Sequence, residues 1–329
     1  MNKSVMHVLL WALSYSLMMG CAKARLAQNT KGNMNTSAYK YETKRLALSS
    51  GIELAYRDSG SGPETLLMIH GLGSYLPVWD KMTPLLEERF RCVRLDLPGY
   101  GNSSPVPTPV SISFFAAQVE AFAKKLKLKK IILVGHSMGG QIAIRICLNK
   151  RLDIEKLILL APAGIEKFNK KDAEILKSWV TPASVLAQTE SQTAHNFAVN
   201  FYGNQLPADA RFMLEDREEL KKDGSAYTYF AQLFPSSMMA MLEGPVYAKL
   251  PDLRLPVLVL FGEDDQLIPN RFLHPNMSIQ EVANMARKEI PQASVELLQE
   301  CGHFVPWDRA ATVSRKILEF TTTTKVYTP

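Results

Sequence analysis

The chain has 329 residues, of which 47% are hydrophobic and 21% are charged, so it is long enough to bury a sizeable core. Its formal net charge of +6 is mild for this length, and the basic residues are scattered. The one tight basic group, residues 125–130, is typical of the solvated end of a helix, so we expect no nucleic-acid partner.

The first 21 residues have the pattern of a secretory signal. Lys3 precedes an apolar run that is short for a transmembrane helix, and Cys21 follows that run. Residues 17–21, LMMGC, resemble a bacterial lipoprotein signal, in which the cysteine becomes the lipidated first residue, although Met18 replaces the usual leucine. This predicts a membrane-anchored envelope protein; secretion after cleavage and an uncleaved anchor are the alternatives. The polar residues 22–39 are predicted to form a tether.

From residue 40 onward, apolar strands alternate with helices. A helix is expected between Gly73 and Phe90, with further helices at residues 113–126 and 308–320. Uniformly apolar strands that alternate with helices predict an α/β fold with a mainly parallel, eight-stranded sheet covered by helices on both faces. The predicted strands are residues 44–48 and 52–57, which form a hairpin, and residues 65–69, 91–95, 131–134, 156–161, 256–261 and 295–298.

Residues 162–251 interrupt this alternation. They contain helical segments, including residues 208–222, and no strand signal, so we expect a helical cap inserted after the sixth strand. The cap divides the α/β core into residues 40–161 and 252–321, followed by a tail at 322–329. It would lie above the carboxyl ends of the strands, where open α/β sheets bind ligands. Its apolar side chains either line a substrate pocket or form the cap's own core; the candidates are Trp179, Phe230, Phe234, Met238 and Met241.

Residues 131–143, IILVGHSMGGQIA, have the pattern of a nucleophile elbow, which is a strand, a sharp turn and a helix. Such a turn strains the backbone at Ser137, so the residues two before and two after it must be small, and glycines occupy both positions. The strain exposes the hydroxyl and directs the N–H of Met138, at the helix N-terminus, toward a developing oxyanion. A glycine-rich turn that carries a serine by chance is the alternative interpretation.

A serine nucleophile needs a base that is itself oriented by an acid. Of the six histidines, His303 alone directly follows the last predicted strand, from which a loop can reach back to the serine. Three adjacent carboxylates follow the strand at 256–261. Asp265 is the preferred acid and Asp264 the next candidate.

Five motifs in this order resemble the α/β-hydrolase superfamily. They are HGLG at 70–73, DLPGYGNS at 96–103, GHSMGG at 135–140, GEDDQLIP at 262–269 and GHFVP at 302–306, and the elbow region looks most like monoacylglycerol lipases and carboxylesterases. The resemblance implies Ser137 as nucleophile with Asp265 and His303 as its partners, and the N–H groups of Leu72 and Met138 as the oxyanion hole. It implies hydrolysis of small-molecule or lipid esters through an acyl-enzyme, without a metal or organic cofactor.

Several alternatives remain within and beyond this superfamily. Epoxide hydrolases and haloalkane dehalogenases carry aspartate at the elbow, which Ser137 argues against. Carbon–carbon hydrolases commonly carry tryptophan after the catalytic histidine, where this chain has Phe304, and acyltransferases and perhydrolases share the triad. A catalytically silent binding module usually lacks a triad residue. Cys301 is a formal nucleophile candidate, but packing is its better interpretation.

Overall fold

The computed structural model describes residue 39 and residues 42–322. The signal-like segment, including Cys21, and the tail after residue 322 lie outside the described residues, so lipidation stays a prediction. None of the helices in the described part of the chain is long and apolar enough to cross a membrane.

An eight-stranded sheet forms the centre of the molecule, in the order β1-β2-β4-β3-β5-β6-β7-β8. The first two strands form the predicted antiparallel hairpin, and β2 also pairs antiparallel with β4. All pairs among β3 to β8 are parallel. The predicted α/β sheet is therefore confirmed. The strands are β1 (Lys44–Ala47), β2 (Glu53–Ser59), β3 (Thr65–Ile69), β4 (Arg91–Leu95), β5 (Ile131–His136), β6 (Ile154–Leu160), β7 (Val257–Gly262) and β8 (Ala293–Leu298).

The central strands are apolar because they are buried on both faces. Every residue of β3, β5 and β7 is buried, as expected for a parallel sheet covered on both sides by helices. The core helices are α1 (Ile112–Lys125), α2 (Met138–Asn149), α8 (Ile279–Glu289), α9 (Val305–Asp308) and α10 (Ala310–Thr322).

The expected helix between Gly73 and Phe90 is wrong. The structure has two short 3₁₀ helices there, Leu76–Trp79 and Thr83–Leu85, each with a proline at its start. Proline has no backbone N–H and fits only the first turn of a helix, so Pro77 and Pro84 each permit one turn but prevent a continuous α-helix.

Between β6 and β7 the described chain forms helices and no strand, as the insertion pattern predicts. This cap leaves the sheet after β6, and its last residues return to β7 through the 3₁₀ helix Tyr247–Asp252. The cap α-helices are α3 (Lys170–Trp179), α4 (Pro182–Leu186), α5 (Glu190–Ala198), α6 (Arg211–Lys222) and α7 (Gly224–Glu243).

Candidate active site

Ser137 lies between the end of β5 and the start of α2, in a strained backbone conformation. Its φ of 53° and ψ of −119° lie in a region that side-chain-bearing residues rarely adopt. Neighbouring backbone fixes this geometry, because the Ser137 N–H donates to the Leu160 carbonyl at 3.0 Å and the Ser137 carbonyl accepts from the N–H groups of Gly140 and Ala163. The elbow is thereby connected to β6 and to the first residues of the cap.

Close packing behind the elbow explains its glycines. A Cβ on Gly139 would lie 2.1 Å from the carbonyl oxygen of Ile69 and 2.5 Å from that of His70. A Cβ on Gly135 would lie 2.4 Å from the carbonyl oxygen of Gly139. These oxygens belong to the end of β3, to the residue after it and to α2, and packed backbone cannot move aside, so only glycine fits at both positions.

We therefore expect Gly139→Ala to lower the free energy of unfolding by about 3 kcal/mol or more, or to prevent folding, because the added methyl overlaps backbone oxygen. Gly224→Ala is the matched control, since a Cβ at that position, the first residue of α7, meets no atom within 4 Å. Urea unfolding should show the control unchanged or up to ~1 kcal/mol more stable. Equal stabilities of the two variants would contradict this account of the elbow.

His303 and Asp265 lie in hydrogen-bonding contact beyond the ends of β8 and β7. The His303 Nδ1 is 2.8 Å from Asp265 Oδ2, and both side chains are buried. The other carboxylate oxygen of Asp265 accepts from the N–H groups of Leu267 and Ile268 at 2.8 and 2.9 Å. An ionised carboxylate only accepts hydrogen bonds, so Nδ1 carries the proton and Nε2 is left as the basic nitrogen. Of the two acid candidates, Asp265 is the one that contacts His303.

His136, the residue before Ser137, supports the loop of His303, a role that the sequence reasoning missed. Its Nε2 donates to the His303 carbonyl at 2.9 Å, and the two rings are 5.0 Å apart. Burial first, and then proximity to His303, lower the pKa of His136 to about 3. A neutral His136 can therefore hold the loop without adding positive charge beside the base. Its position next to the nucleophile was the available signal.

The HGLG motif forms a tight turn, here called the oxyanion turn (residues 71–74), beside the elbow. The Ser74 N–H donates to the Gly71 carbonyl at 3.3 Å, and Gly73 has a φ of 65°, which is the glycine position of a type II turn. A Cβ on Gly71 would lie 3.0 Å from the Cβ of Ser137, so the turn and the nucleophile are in contact. Among the described residues, the N–H groups of Leu72 and Met138 have no hydrogen-bond partner.

His70 braces the start of this turn through both ring nitrogens. Its Nδ1 donates to the Gly71 carbonyl at 2.8 Å, and its Nε2 accepts from the Leu97 N–H at 3.0 Å. Burial lowers the pKa of His70 to about 4, so the ring is neutral in the folded protein at neutral pH. Protonation would convert Nε2 into a second donor and break the bond to Leu97.

This depressed pKa predicts acid sensitivity. The unfolded state binds a proton near pH 6.5 and the folded state only near pH 4, so stability that is present above pH 6.5 is lost as the pH falls. Between pH 7 and pH 5, His70→Gln should lose about 2 kcal/mol less unfolding free energy than the parent chain. Urea titrations at the two pH values test this, and a parent-like loss in His70→Gln would refute it.

The five predicted pocket side chains occupy different surroundings. Phe234 lies against the oxyanion turn, since a Cβ on Gly73 would be 2.9 Å from its ring. Phe230 is buried, and the centre of its ring lies 5.6 Å from that of Phe234. Trp179 is 42% exposed, and the centre of its ring lies 4.1 Å from that of Phe272. Met238 and Met241 are half-buried on α7, and the second packs against the main core.

The first residues of the cap, here called the cap root (residues 162–166), contact the loop that carries Asp265. The carboxylate of Glu166, four residues after Pro162, accepts from the Asn270 N–H at 2.9 and 3.1 Å and contacts the His274 Nδ1 at 2.5 Å. Burial raises the pKa of Glu166, while its hydrogen bonds oppose that effect. This link fixes the segment that follows Asp265.

Cys301 lies two residues before His303 but is a packing residue. Its side chain is fully buried, and burial raises the pKa of its thiol well above the ordinary value. Reactive cysteines need the opposite shift, toward thiolate. No group of three or more metal-ligating side chains occurs within residues 42–322.

Known proteins similar to this chain include hydrolases, and solved structures share its fold. The family model described as the alpha/beta hydrolase fold matches residues 64–310. The 2-hydroxy-6-oxononadienedioate/2-hydroxy-6-oxononatrienedioate hydrolase 1 of Dechloromonas aromatica is 24% identical over 278 residues, which cover 82% of this chain and 91% of that protein. A probable hydrolytic enzyme from Pseudomonas aeruginosa superposes with a TM-score of 0.77 at 22% identity, covering 87% and 96% of the two chains. An esterase from Exiguobacterium antarcticum superposes with a TM-score of 0.70 at 21% identity, covering 86% and 100%.

Proposed function

Because the chain belongs to the alpha/beta hydrolase family, we propose that it is a serine hydrolase that cleaves carboxylic esters through an acyl-enzyme on Ser137. The observation that carries the proposal is the joint placement of three features. A strained serine stands at the end of β5, and a buried histidine–aspartate pair lies at the same edge of the sheet. The N–H groups of Leu72, next to the Gly71 that contacts Ser137, and of Met138 have no partner among the described residues.

The proposed reaction has two halves. His303 Nε2 takes the proton of the Ser137 hydroxyl as the oxygen attacks the ester carbonyl, and Asp265 stabilises the imidazolium. The N–H groups of Leu72 and Met138 hold the oxyanion of the tetrahedral intermediate. His303 then protonates the leaving alcohol. Water, activated by His303, attacks the acyl-enzyme in the second half and regenerates Ser137.

Medium to long acyl chains suit the proposed site best. Two aromatic cap residues lie beside the oxyanion turn, with Phe234 in direct contact and Phe230 behind it. Apolar walls of this kind bind aliphatic chains through burial of their surface. A substrate with a lipophilic acyl group would also be compatible with the predicted lipid anchor at Cys21.

A series of p-nitrophenyl esters from acetate to palmitate tests the proposal, with Ser137→Ala as the control. We expect turnover that peaks at an intermediate or long chain and is absent in the control. A parent chain that reacts with a fluorophosphonate but hydrolyses none of these esters would refute ester hydrolysis. A chain that neither reacts nor hydrolyses would instead favour a silent binding module.

Carbon–carbon bond hydrolysis is the second candidate, because the relative from D. aromatica is named as a hydrolase of 2-hydroxy-6-oxo dioates. A 2-hydroxy-6-oxo dioate contains no ester, so its hydrolysis breaks a carbon–carbon bond. Phe304, in place of the usual tryptophan, counts against this candidate. Loss of the dienoate absorbance of such a compound on incubation with the protein, in the absence of ester turnover, would establish the second candidate over the first.

A further inference from the structure

The oxyanion turn has little stability of its own. Its one internal hydrogen bond, from Ser74 N–H to the Gly71 carbonyl, is long at 3.3 Å, and long hydrogen bonds contribute weakly. On the side of the sheet, His70 holds the Gly71 carbonyl, and Asp96 Oδ1 accepts from the Leu76 N–H at 2.6 Å. These contacts fix Gly71 and Leu76, the two ends of residues 71–76. The residues between them, including Leu72 with its N–H, must be held by other contacts.

Two adjacent residues of cap helix α6 contact Gly73 in the turn and Tyr75 directly after it. The Arg217 Nη2 donates to the Gly73 carbonyl at 2.8 Å, and the Tyr75 hydroxyl donates to Asp216 Oδ2 at 2.5 Å. Tyr75 and Asp216 are both buried. A charged group strengthens each of these hydrogen bonds, since the donor is a guanidinium in one and the acceptor a carboxylate in the other.

The guanidinium of Arg217 is itself held in place by α7. It lies 3.8 Å from the centre of the Phe230 ring, a cation–π contact that orients its plane. Phe234, one turn further along α7, touches Gly73 from the same side. Desolvation lowers the pKa of Arg217, although an arginine stays charged at neutral pH. Both long cap helices therefore meet at the Gly73 peptide.

We propose that Asp216 and Arg217 are positioning residues that hold the oxyanion turn in its catalytic geometry. Leu72 directly precedes Gly73, whose carbonyl accepts from Arg217. Rotation of this part of the turn would therefore displace the Leu72 N–H, the proposed oxyanion donor. The oxyanion hole then has both of its donors in place only while the cap packs against the turn. This inference rests on the serine-nucleophile chemistry of the proposed function, because the hole acts only when attack by Ser137 generates an oxyanion.

Substitutions at Arg217 test the role directly. For Arg217→Met we expect kcat on the best p-nitrophenyl ester to fall about 10- to 100-fold, with KM changed less than about threefold, since misplacement of a donor weakens transition-state binding more than substrate binding. Affinity for an alkyl trifluoromethyl ketone, whose serine adduct carries an oxyanion, should fall by the same factor as kcat/KM. Arg217→Lys should restore part of both losses. Glu215→Gln, an exposed change on the same helix, should match the parent chain.

Tyr75→Phe provides a second test that leaves the arginine intact. It removes one hydroxyl from the residue that directly follows the turn and should lower kcat about 10-fold, with a parallel loss of ketone affinity. Parent-like kcat and ketone affinity in both Arg217→Met and Tyr75→Phe would overturn the inference, as would a rise in KM alone. The rate of fluorophosphonate labelling of Ser137 separates the two proposals. If the parent chain labels but turns over no ester, the proposed function fails, and slower labelling of the variants still supports the positioning role.

Discussion

Alanine in place of Ser137 is expected to lower kcat for ester hydrolysis by a factor on the order of 10⁶, because the reaction loses the atom that attacks the carbonyl. The oxyanion hole and substrate binding leave a residual acceleration over water of roughly 10³ to 10⁴. Alanine keeps the Cβ that contacts the oxyanion turn, so the elbow should fold as before. Single-turnover and steady-state assays measure the loss, and thermal unfolding checks the fold.

Cys301→Ala is the matched control for this experiment. The thiol is the other nucleophilic side chain near His303, but it is buried and its pKa is raised. Its removal should leave kcat within about threefold of the parent value, because a protonated, buried thiol does not attack. Retained activity in Ser137→Ala together with lost activity in Cys301→Ala would contradict the assignment of the nucleophile.

The second large effect is expected at Asp265. Asparagine at this position would donate to His303 Nδ1 rather than accept from it, so the ring proton would move to Nε2. A ring protonated at Nε2 cannot take the serine proton, and a comparable aspartate-to-asparagine exchange in a serine protease lowers kcat about 10⁴-fold. We expect a loss of similar size here, with KM little changed.

Asp264→Asn is the control, since it makes the same chemical change one residue away. The Asp264 backbone N–H donates to the Cys301 carbonyl, and the contact with His303 Nδ1 comes from Asp265. The Asp264 variant should therefore keep kcat within about threefold of the parent value. A large loss at Asp264 and a small one at Asp265 would reverse the roles of the two carboxylates.

Much of the fold could be predicted because its signals are local. The parallel strands are short apolar runs bounded by turn residues, and the predicted β3 and β4 have the same bounds as the observed strands. The helix expected after Gly73 is wrong because Pro77 and Pro84 each limit this stretch to a single helical turn. Proline limits helix length whatever the hydrophobic pattern.

The candidate site could be predicted in part for a similar reason. The residues named as nucleophile, acid and base lie one, three and five residues after the ends of β5, β7 and β8. Parallel strands end at one edge of the sheet, so residues that closely follow them are expected to lie near one another. The cap's contribution could not be read in the same way. Arg217 and Asp216 lie about 140 positions from the turn that they contact, in helices whose pattern indicates only which face is apolar. Distant pairing of this kind depends on how the cap packs, which no local motif specifies.

Hydrogen bonds between both ends of the cap and the core limit how the cap could be exchanged to make chimeric hydrolases from this chain. The N–H of Ala163 completes the elbow and Glu166 anchors the acid loop, so both belong functionally to the core although they follow β6. At the other end, the buried Gln141 side chain donates to the carbonyls of Met241 and Gly244. The transplantable unit is therefore residues 167–240, shorter than the insertion at 162–251. A foreign cap grafted at those junctions would inherit an intact nucleophile and acid loop, and would itself have to supply the contacts to Gly73 and Tyr75.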